Sequence, residues 1–307
     1  MAKTFDSSRR GLTQGWWDKA GEYYELCKPR VVALMVFTAL VGMLLAAPGR
    51  VSLDVLLSGL GGIALMAGAA AAINHLADRH IDAVMARTRG RPLPSGTLNT
   101  REVLVFALVL GILGFWLLAA RVNLLTAVLT LFSLVGYAVV YTLFLKRRTP
   151  QNIVIGGAAG AMPPLLGWTA VTGYPDANAL LLFLIVFTWT PPHFWALALY
   201  RKEEYAKVGI PMLPVTHGEA LTRLHILLYT VLLVVITVLP YLTRMSGLLY
   251  LAGALALGAG FLYQAGMLYR APTRKRASQT FAYSIVYLMG LFAVLLVDRY
   301  LPALFGA

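Results

Sequence analysis

Long, uninterrupted apolar runs decide what this chain can fold into. A helix rises about 1.5 Å per residue and the hydrocarbon layer of a bilayer is about 30 Å thick, so about 20 mostly apolar residues make one crossing. Nine segments meet that length, near residues 31–47, 53–77, 103–120, 123–145, 152–172, 179–200, 221–243, 248–269 and 281–301. The expected fold is therefore an all-α integral membrane protein. Composition agrees: 59% of the 307 residues are hydrophobic and 13% charged, whereas a soluble domain is nearer half apolar and a quarter charged. The single cysteine, Cys27, excludes an internal disulfide framework and a cysteine-built metal site.

The net charge of +13 suggests an anionic partner, and apolar runs of this kind exclude a soluble nucleic-acid-binding module. The basic residues alternate from loop to loop. The first thirty residues and the stretches 79–101, 146–148, 201–223 and 270–276 hold 22 Lys and Arg, against four on the other side: Arg50, Arg121, Arg244 and Arg299. Basic residues near span ends stay in the cytoplasm, so the amino terminus is expected inside and, after nine crossings, the carboxyl terminus outside. The first thirty residues lack the apolar core and cleavage site of a secretory signal and carry acids that transit peptides avoid. Residues 1–27 read as a cytoplasmic interfacial arm, with Trp16, Trp17, Tyr23 and Tyr24 at headgroup level beside Lys19 and Lys28. Residues 28–307 form the polytopic domain.

Most of the 13 acids fall in the arm, in loops or at span ends. Two pairs stand apart. Asn74, Asp78 and Asp82 follow one another at intervals of four at the end of the second run, which on a helix makes one row of oxygen-bearing side chains. A carboxylate within the bilayer costs about 2.5–3.5 kcal/mol on insertion scales, and like charges one turn apart repel, so a cation must compensate. Oxygen ligands on one helix face suit Mg²⁺, which keeps some waters and takes phosphate oxygens. The alternative is neutralisation by Arg79, Arg87 and Arg89. Arg87, Arg89 and Arg91, ahead of Pro92 and Pro94, supply guanidinium groups that bind phosphate bidentately. Acids beside arginines thus suggest a metal-bridged polyphosphate. The second pair, Glu203 and Glu204, follows the sixth run on the same side; two acidic patches at one membrane face can converge on two metal ions around a diphosphate.

In the sixth run, Pro191 and Pro192 are expected to break or kink the helix. His193 beside them is a candidate ligand-facing group, or a hydrogen-bonded packing residue. The glycines at 156, 157 and 160 read as a close-packing surface, since they lack the Lys-Ser/Thr ending of a phosphate loop.

The row Asn74-x-x-x-Asp78-x-x-x-Asp82 with Arg87-x-x-x-Arg91-Pro92 resembles the first aspartate-rich motif of the intramembrane aromatic prenyltransferase superfamily. Asn74-His75 with Ile81-Asp82-Ala83-Val84-Met85, then Trp189 to Trp195, then Glu204 to Pro214 resemble its heme-farnesylating branch. The resemblance runs from about Cys27 to the end. It implies nine helices around a central, laterally open cavity with cytoplasmic caps, in a bacterial inner membrane. It implies transfer of farnesyl from farnesyl diphosphate to a vinyl group of heme b, with addition of water and release of diphosphate. On that reading Asn74, Asp78 and Asp82 hold Mg²⁺ as catalytic residues, with Glu203 and Glu204 as further metal ligands. Lys28, Arg30, Arg87, Arg91, Lys146 and Lys202 bind the diphosphate, His193 is a candidate heme contact, and heme b is substrate and not a resident cofactor. Membrane lipids are the surroundings, and a heme A synthase or oxidase-assembly partner is implied downstream.

One departure is that the superfamily's second motif usually has aspartates where this chain has Glu203 and Glu204. The extra methylene loosens the fit to direct coordination and leaves a water-mediated contact open. Two other functions share some of these features. A prenyltransferase for a quinone precursor or a chlorophyll-type ring shares the Asn-Asp-Asp row, and a cation-coupled transporter would use the row as an ion site. Against the transporter, the acids cluster at one membrane face among arginines.

Overall fold

The computed structural model describes residues 16–47 and 49–304, and the described residues are helical almost throughout. Nine helices among them are long and apolar enough to cross a membrane. They are α2 (Pro29–Ala46), α3 (Leu53–Val84), α5 (Thr100–Arg121), the stretch Leu124–Arg148, α8 (Asn152–Thr172), α9 (Ala177–Tyr200), the stretch Gly218–Leu242, α14 (Leu248–Arg270) and α15 (Arg274–Leu304). The chain is a multi-pass membrane protein. The fourth crossing is composite: α6 (Leu124–Val135), a π-helical segment (Gly136–Leu145) and α7 (Lys146–Arg148). The seventh is α12 (Gly218–Ile236) and α13 (Leu239–Leu242). Four short helices gather with the basic loops at one end of the bundle: α1 (Trp16–Leu26), α4 (Pro92–Ser95), α10 (Lys202–Lys207) and α11 (Leu213–Thr216).

Several boundaries follow from local chemistry. Ser52, Asn99, Asn123 and Asp176 cap the helices that follow them by accepting backbone N–H groups, satisfying donors the first turn leaves free. Two expectations need correction. The second crossing continues seven residues past Ala77 to Val84, so the aspartate row stays helical beyond the apolar run. Pro191 and Pro192 do not break α9, which is helical from Ala177 to Tyr200; α8 likewise runs through Pro163 and Pro164. Neighbouring helices support such a helix where a carbonyl loses its partner.

Helices α2 and α8 approach backbone to backbone. A Cβ on Gly42 would overlap the Pro164 carbonyl oxygen, and one on Gly167 would overlap that of Ala39. Glycine at both positions lets the backbones touch. The main apolar core joins α2, α8, α9, α12, α14 and α15 around Leu182, Ile185, Phe261, Tyr287 and Phe292. The outer face of α5 presents Leu108, Ile112 and Trp116, all exposed, as a lipid-facing helix should. In the arm, Tyr23 packs against Phe106 and Glu22 accepts a hydrogen bond from Thr97, while Trp17 and Tyr24 are exposed. The part of the arm before Trp16 lies outside the described residues.

Six of the nine crossings enclose a central cavity of about 620 Å³: α2, α3, α6 with its π segment, α8, α9 and α15. The lining is mostly apolar, with Lys28 and Arg30 at the basic end.

Candidate active site

The oxygen row lies on one face of α3. Asn74, Asp78 and Asp82 are all buried, a costly placement for two carboxylates in the absence of counter-charges. Each has a cationic partner, distant along the chain for Asn74 and Asp78 and nine residues away for Asp82. Lys146 lies 2.5 Å from Asp78 Oδ2 and Arg91 2.7 Å from Asp82 Oδ2. Asn74 donates to Asp78 Oδ2 at 3.0 Å and to Thr142 Oγ1 at 3.3 Å, and its Oδ1 accepts from Lys28 Nζ. Asp78 Oδ1 is buried with no partner among the described residues.

Local backbone features deliver these cations. Lys28 joins α1 to α2 with φ 50° and ψ 59°, a left-handed conformation that costs a non-glycine residue of order 1 kcal/mol or more. Burial first, then the nearby Arg91, pushes its pKa down to about 8, against the pull of Asp78 and Asp82. The π-helical segment carries Thr142, whose hydroxyl donates to the Tyr137 carbonyl at 2.8 Å, and leads directly into Lys146. π segments of this kind are frequent at functional sites because they re-aim side chains. Arg87 makes no hydrogen bond or ion pair with another described residue, and partial burial, followed by the charges of Arg91 and Arg201, lowers its pKa. Lys28, Arg87, Arg91 and Lys146 thus set four positive charges around two carboxylates. That surplus suits an anion.

Other expected residues go elsewhere. Arg79 donates to the Leu76 carbonyl at 3.3 Å, and neither it nor Arg89 forms an ion pair with the aspartates; Arg91 and Lys146 do so instead. Arg30 is exposed at the cavity wall. Lys202 pairs with Glu219 at 2.9 Å and Glu204 with Arg201 at 3.0 Å. With Glu203 they line a separate crevice of about 430 Å³ shared with Arg223 and Arg274. Among the described residues no three His, Cys, Asp or Glu side chains come together to hold a metal ion; Glu204 Oε2, like Asp78 Oδ1, is buried with no partner among them. What α10 brings to the row is Tyr205. Burial raises its phenol pKa against the charges of Arg87 and Arg201, with Glu204 and Asp78 reinforcing the rise.

The cavity beside the row has aromatic walls. Tyr137 and Tyr141 stack with ring centroids 5.5 Å apart, and a Cβ on Gly156 would strike the Tyr141 ring, so that glycine seats the tyrosine. Farther along the cavity, His193 lies between Trp189 and Phe281, at centroid distances of 4.2 and 4.6 Å. Trp189 Nε1 donates to the Ser284 carbonyl at 2.7 Å, and His193 Nδ1 is 2.6 Å from Ser284 Oγ. Thr142, Tyr137, Tyr141 and Tyr205 were not among the expected site residues. The signal for three of them was Thr142 and Lys146 one turn apart near a span end, with Tyr137 and Tyr141 one turn apart before them, and Tyr205 stands within the Glu204 to Pro214 stretch.

A buried row of oxygen donors, a surplus of cations and an adjoining apolar cavity together suit a ligand with an anionic head and an apolar tail. A sequence profile of the UbiA prenyltransferase family matches residues 35–295. The chain belongs to the UbiA prenyltransferase family. It is 63% identical over 280 residues to a protein of Teredinibacter turnerae named protoheme IX farnesyltransferase, covering 91% of this chain and 90% of the relative. A protein of the same name from Marinobacter nauticus is 64% identical over 279 residues, covering 91% and 92%, and one from Alkalilimnicola ehrlichii is 60% identical over 293 residues, covering 95% and 97%.

Among solved structures, one of digeranylgeranylglyceryl phosphate synthase superposes with a TM-score of 0.77 at 21% identity, covering 92% of this chain and 98% of that one. A UbiA homologue from Archaeoglobus fulgidus, bound to DMAPP and Mg²⁺, superposes with a TM-score of 0.65 at 17% identity, covering 90% and 99%. At these identities the likeness shows a shared fold.

Proposed function

We propose that this UbiA prenyltransferase transfers the farnesyl group of farnesyl diphosphate to a vinyl group of heme b, with addition of water, giving heme O and diphosphate. The observation that carries the reading is identity of 60% or more, over more than nine-tenths of the chain, to relatives named protoheme IX farnesyltransferase. The geometry is compatible with it. Both organic partners are membrane-soluble, and the cavity is mostly apolar, with its cationic side chains at one end.

Asn74, Asp78 and Asp82 would hold Mg²⁺. The fit lies in their chemistry, three oxygen donors on one helix face, and in Asp78 Oδ1, a buried carboxylate oxygen with no donor facing it. Such hard oxygen ligands suit this ion. When bound, the metal would supply positive charge at the leaving diphosphate. Glu203 and Glu204 line the neighbouring crevice, and with Glu204 Oε2 buried and unpartnered among the described residues they would serve as ligands of a second metal ion. The A. fulgidus homologue with DMAPP and Mg²⁺ is consistent with the assignment.

The protein's own side chains then divide the work. Lys28, Lys146, Arg87 and Arg91 bind the diphosphate and stabilise the charge that grows on it as the allylic carbon–oxygen bond breaks, which is electrostatic stabilisation in a low-dielectric site. Tyr137 and Tyr141 present ring faces to the allylic cation, an attraction of about 2 kcal/mol when desolvated. The apolar wall formed by Leu34, Met66 and Leu134 keeps water from capturing the cation early. Val31, Phe194 and Met289 line the cavity and are themselves exposed, which fits sideways entry of the two substrates from lipid. The 22-to-4 distribution of Lys and Arg supports a cytoplasmic site in a bacterial inner membrane, with residues 1–27 as an interfacial arm.

Purified protein incubated with farnesyl diphosphate and either heme b or 4-hydroxybenzoate tests the choice of acceptor. The reading expects a farnesylated tetrapyrrole by mass spectrometry and no prenylated benzoate. The reverse outcome moves the chain to a quinone-type branch.

A further inference from the structure

His193 is buried inside a membrane helix, yet it lines the cavity. Its ring is clamped on both faces by Trp189 and Phe281, so only its edges can make polar contacts. On one edge, Nδ1 is 2.6 Å from Ser284 Oγ. The same hydroxyl is 2.6 Å from the Phe281 carbonyl oxygen. Each of these short separations requires a proton between the two atoms. The hydroxyl has one proton and gives it to the carbonyl, since a carbonyl has none to give. The other must therefore be the imidazole's, so Nδ1 carries hydrogen and donates it to Ser284 Oγ. In the neutral ring this leaves Nε2 with a bare lone pair.

Nε2 has no hydrogen-bond partner among the described residues, and it is not one of the fully enclosed unpaired atoms. It therefore keeps access to the cavity. A lone pair held open among apolar and aromatic side chains is costly unless a ligand completes it. An imidazole whose distal N–H is tied to a fixed acceptor is the usual arrangement of a metal-ligating histidine, because that bond sets the tautomer and the ring's orientation.

We propose that His193 binds the porphyrin substrate through Nε2 as an axial ligand to its iron, making it a positioning residue that seats the macrocycle in the cavity for vinyl attack. Ser284 holds the tautomer and Trp189 and Phe281 hold the ring plane. The inference rests on heme being the acceptor, and the cavity lining supplies the apolar surroundings that a flat macrocycle needs.

The test compares heme b with metal-free protoporphyrin IX as ligands for the purified, membrane-inserted protein. Affinity is measured by titration, and the iron–histidine stretch by resonance Raman of the ferrous complex. Wild type should bind heme more tightly than the metal-free ring and show the stretch. In His193→Ala the heme Kd should weaken about tenfold or more, the metal-free Kd should stay put, the stretch should vanish, and added imidazole should restore heme binding. Ser284→Ala keeps the imidazole but frees its tautomer, and should weaken heme binding about tenfold while sparing the metal-free ring.

A stretch that survives His193→Ala, or an equal loss for both porphyrins, overturns the inference. If His193→Ala fails to insert, equal wild-type affinity for the two rings overturns it alone. Farnesyl transfer by wild type is scored in parallel. Absence of farnesylated heme sinks the reading of function, whereas normal product with a heme spectrum indifferent to His193 sinks only the iron contact.

Discussion

Asp78→Asn separates the structural work of the aspartate row from its chemical work. The substitution keeps the shape of the side chain and removes one charge. Asp78 Oδ2 is 2.5 Å from Lys146 Nζ, and the two side chains are 5% and 13% exposed. Losing one partner of a pair this buried leaves an uncompensated charge, at a cost of about 3–5 kcal/mol. The upper part of that range is expected, because Lys28 and Arg91 add positive charge to the same neighbourhood. Asp78→Asn should therefore lower stability by that amount in metal-free protein, measured as unfolding in mixed micelles. Asp78→Asn/Lys146→Gln should recover most of it, because the ammonium group that Asp78 balanced is removed with it. Activity should not follow. Both variants should stay at least about a hundredfold below wild type in farnesyl transfer, the scale of losing a group that stabilises transition-state charge. Full activity in the double variant would show that the carboxylate serves only to neutralise Lys146, and the assigned chemistry would be refuted.

Other expectations follow from the same geometry. Lys202→Ala breaks a half-exposed pair with Glu219 and should change the KM for farnesyl diphosphate less than about twofold, whereas Lys146→Ala should raise it strongly; steady-state kinetics on both decides. Gly167→Ala forces a methyl group onto the Ala39 carbonyl and should lower stability by about 1–3 kcal/mol, visible as a reduced melting temperature with little change in KM. Gly156→Ala drives Tyr141 from its seat against α8. It should reduce kcat more than it reduces diphosphate binding, and equal effects on both would argue against a cation-facing role for that ring.

The sequence made the crossings and the oxygen row legible for physical reasons. Hydropathy over about 20 residues reports lipid thickness directly, and a spacing of four keeps Asn74, Asp78 and Asp82 in line wherever the helix goes. The partners of that row were harder to see, because Lys28 and Lys146 reach it from 46 and 68 residues away along the chain. Lys146 was expected at the diphosphate, but its pairing with Asp78 depends on the π segment, which apolar composition does not announce. Lys202, Glu203 and Glu204 line a crevice of their own, where Lys202 pairs with Glu219 and Glu204 with Arg201, a placement set by long-range packing that spacing along the chain does not reveal. Pro191 and Pro192 suggested a break that packing within the bundle suppresses.

The most direct test of a metal-assisted farnesyl transfer to heme at this row is the mass of the tetrapyrrole recovered from wild-type protein given heme b and farnesyl diphosphate. It is measured with Mg²⁺ present, after chelation, and after Mg²⁺ is restored. The account predicts heme carrying a hydroxyethylfarnesyl group in the first and third conditions and unmodified heme in the second. Unmodified heme in all three, or the same product whether or not the metal is removed, would contradict it.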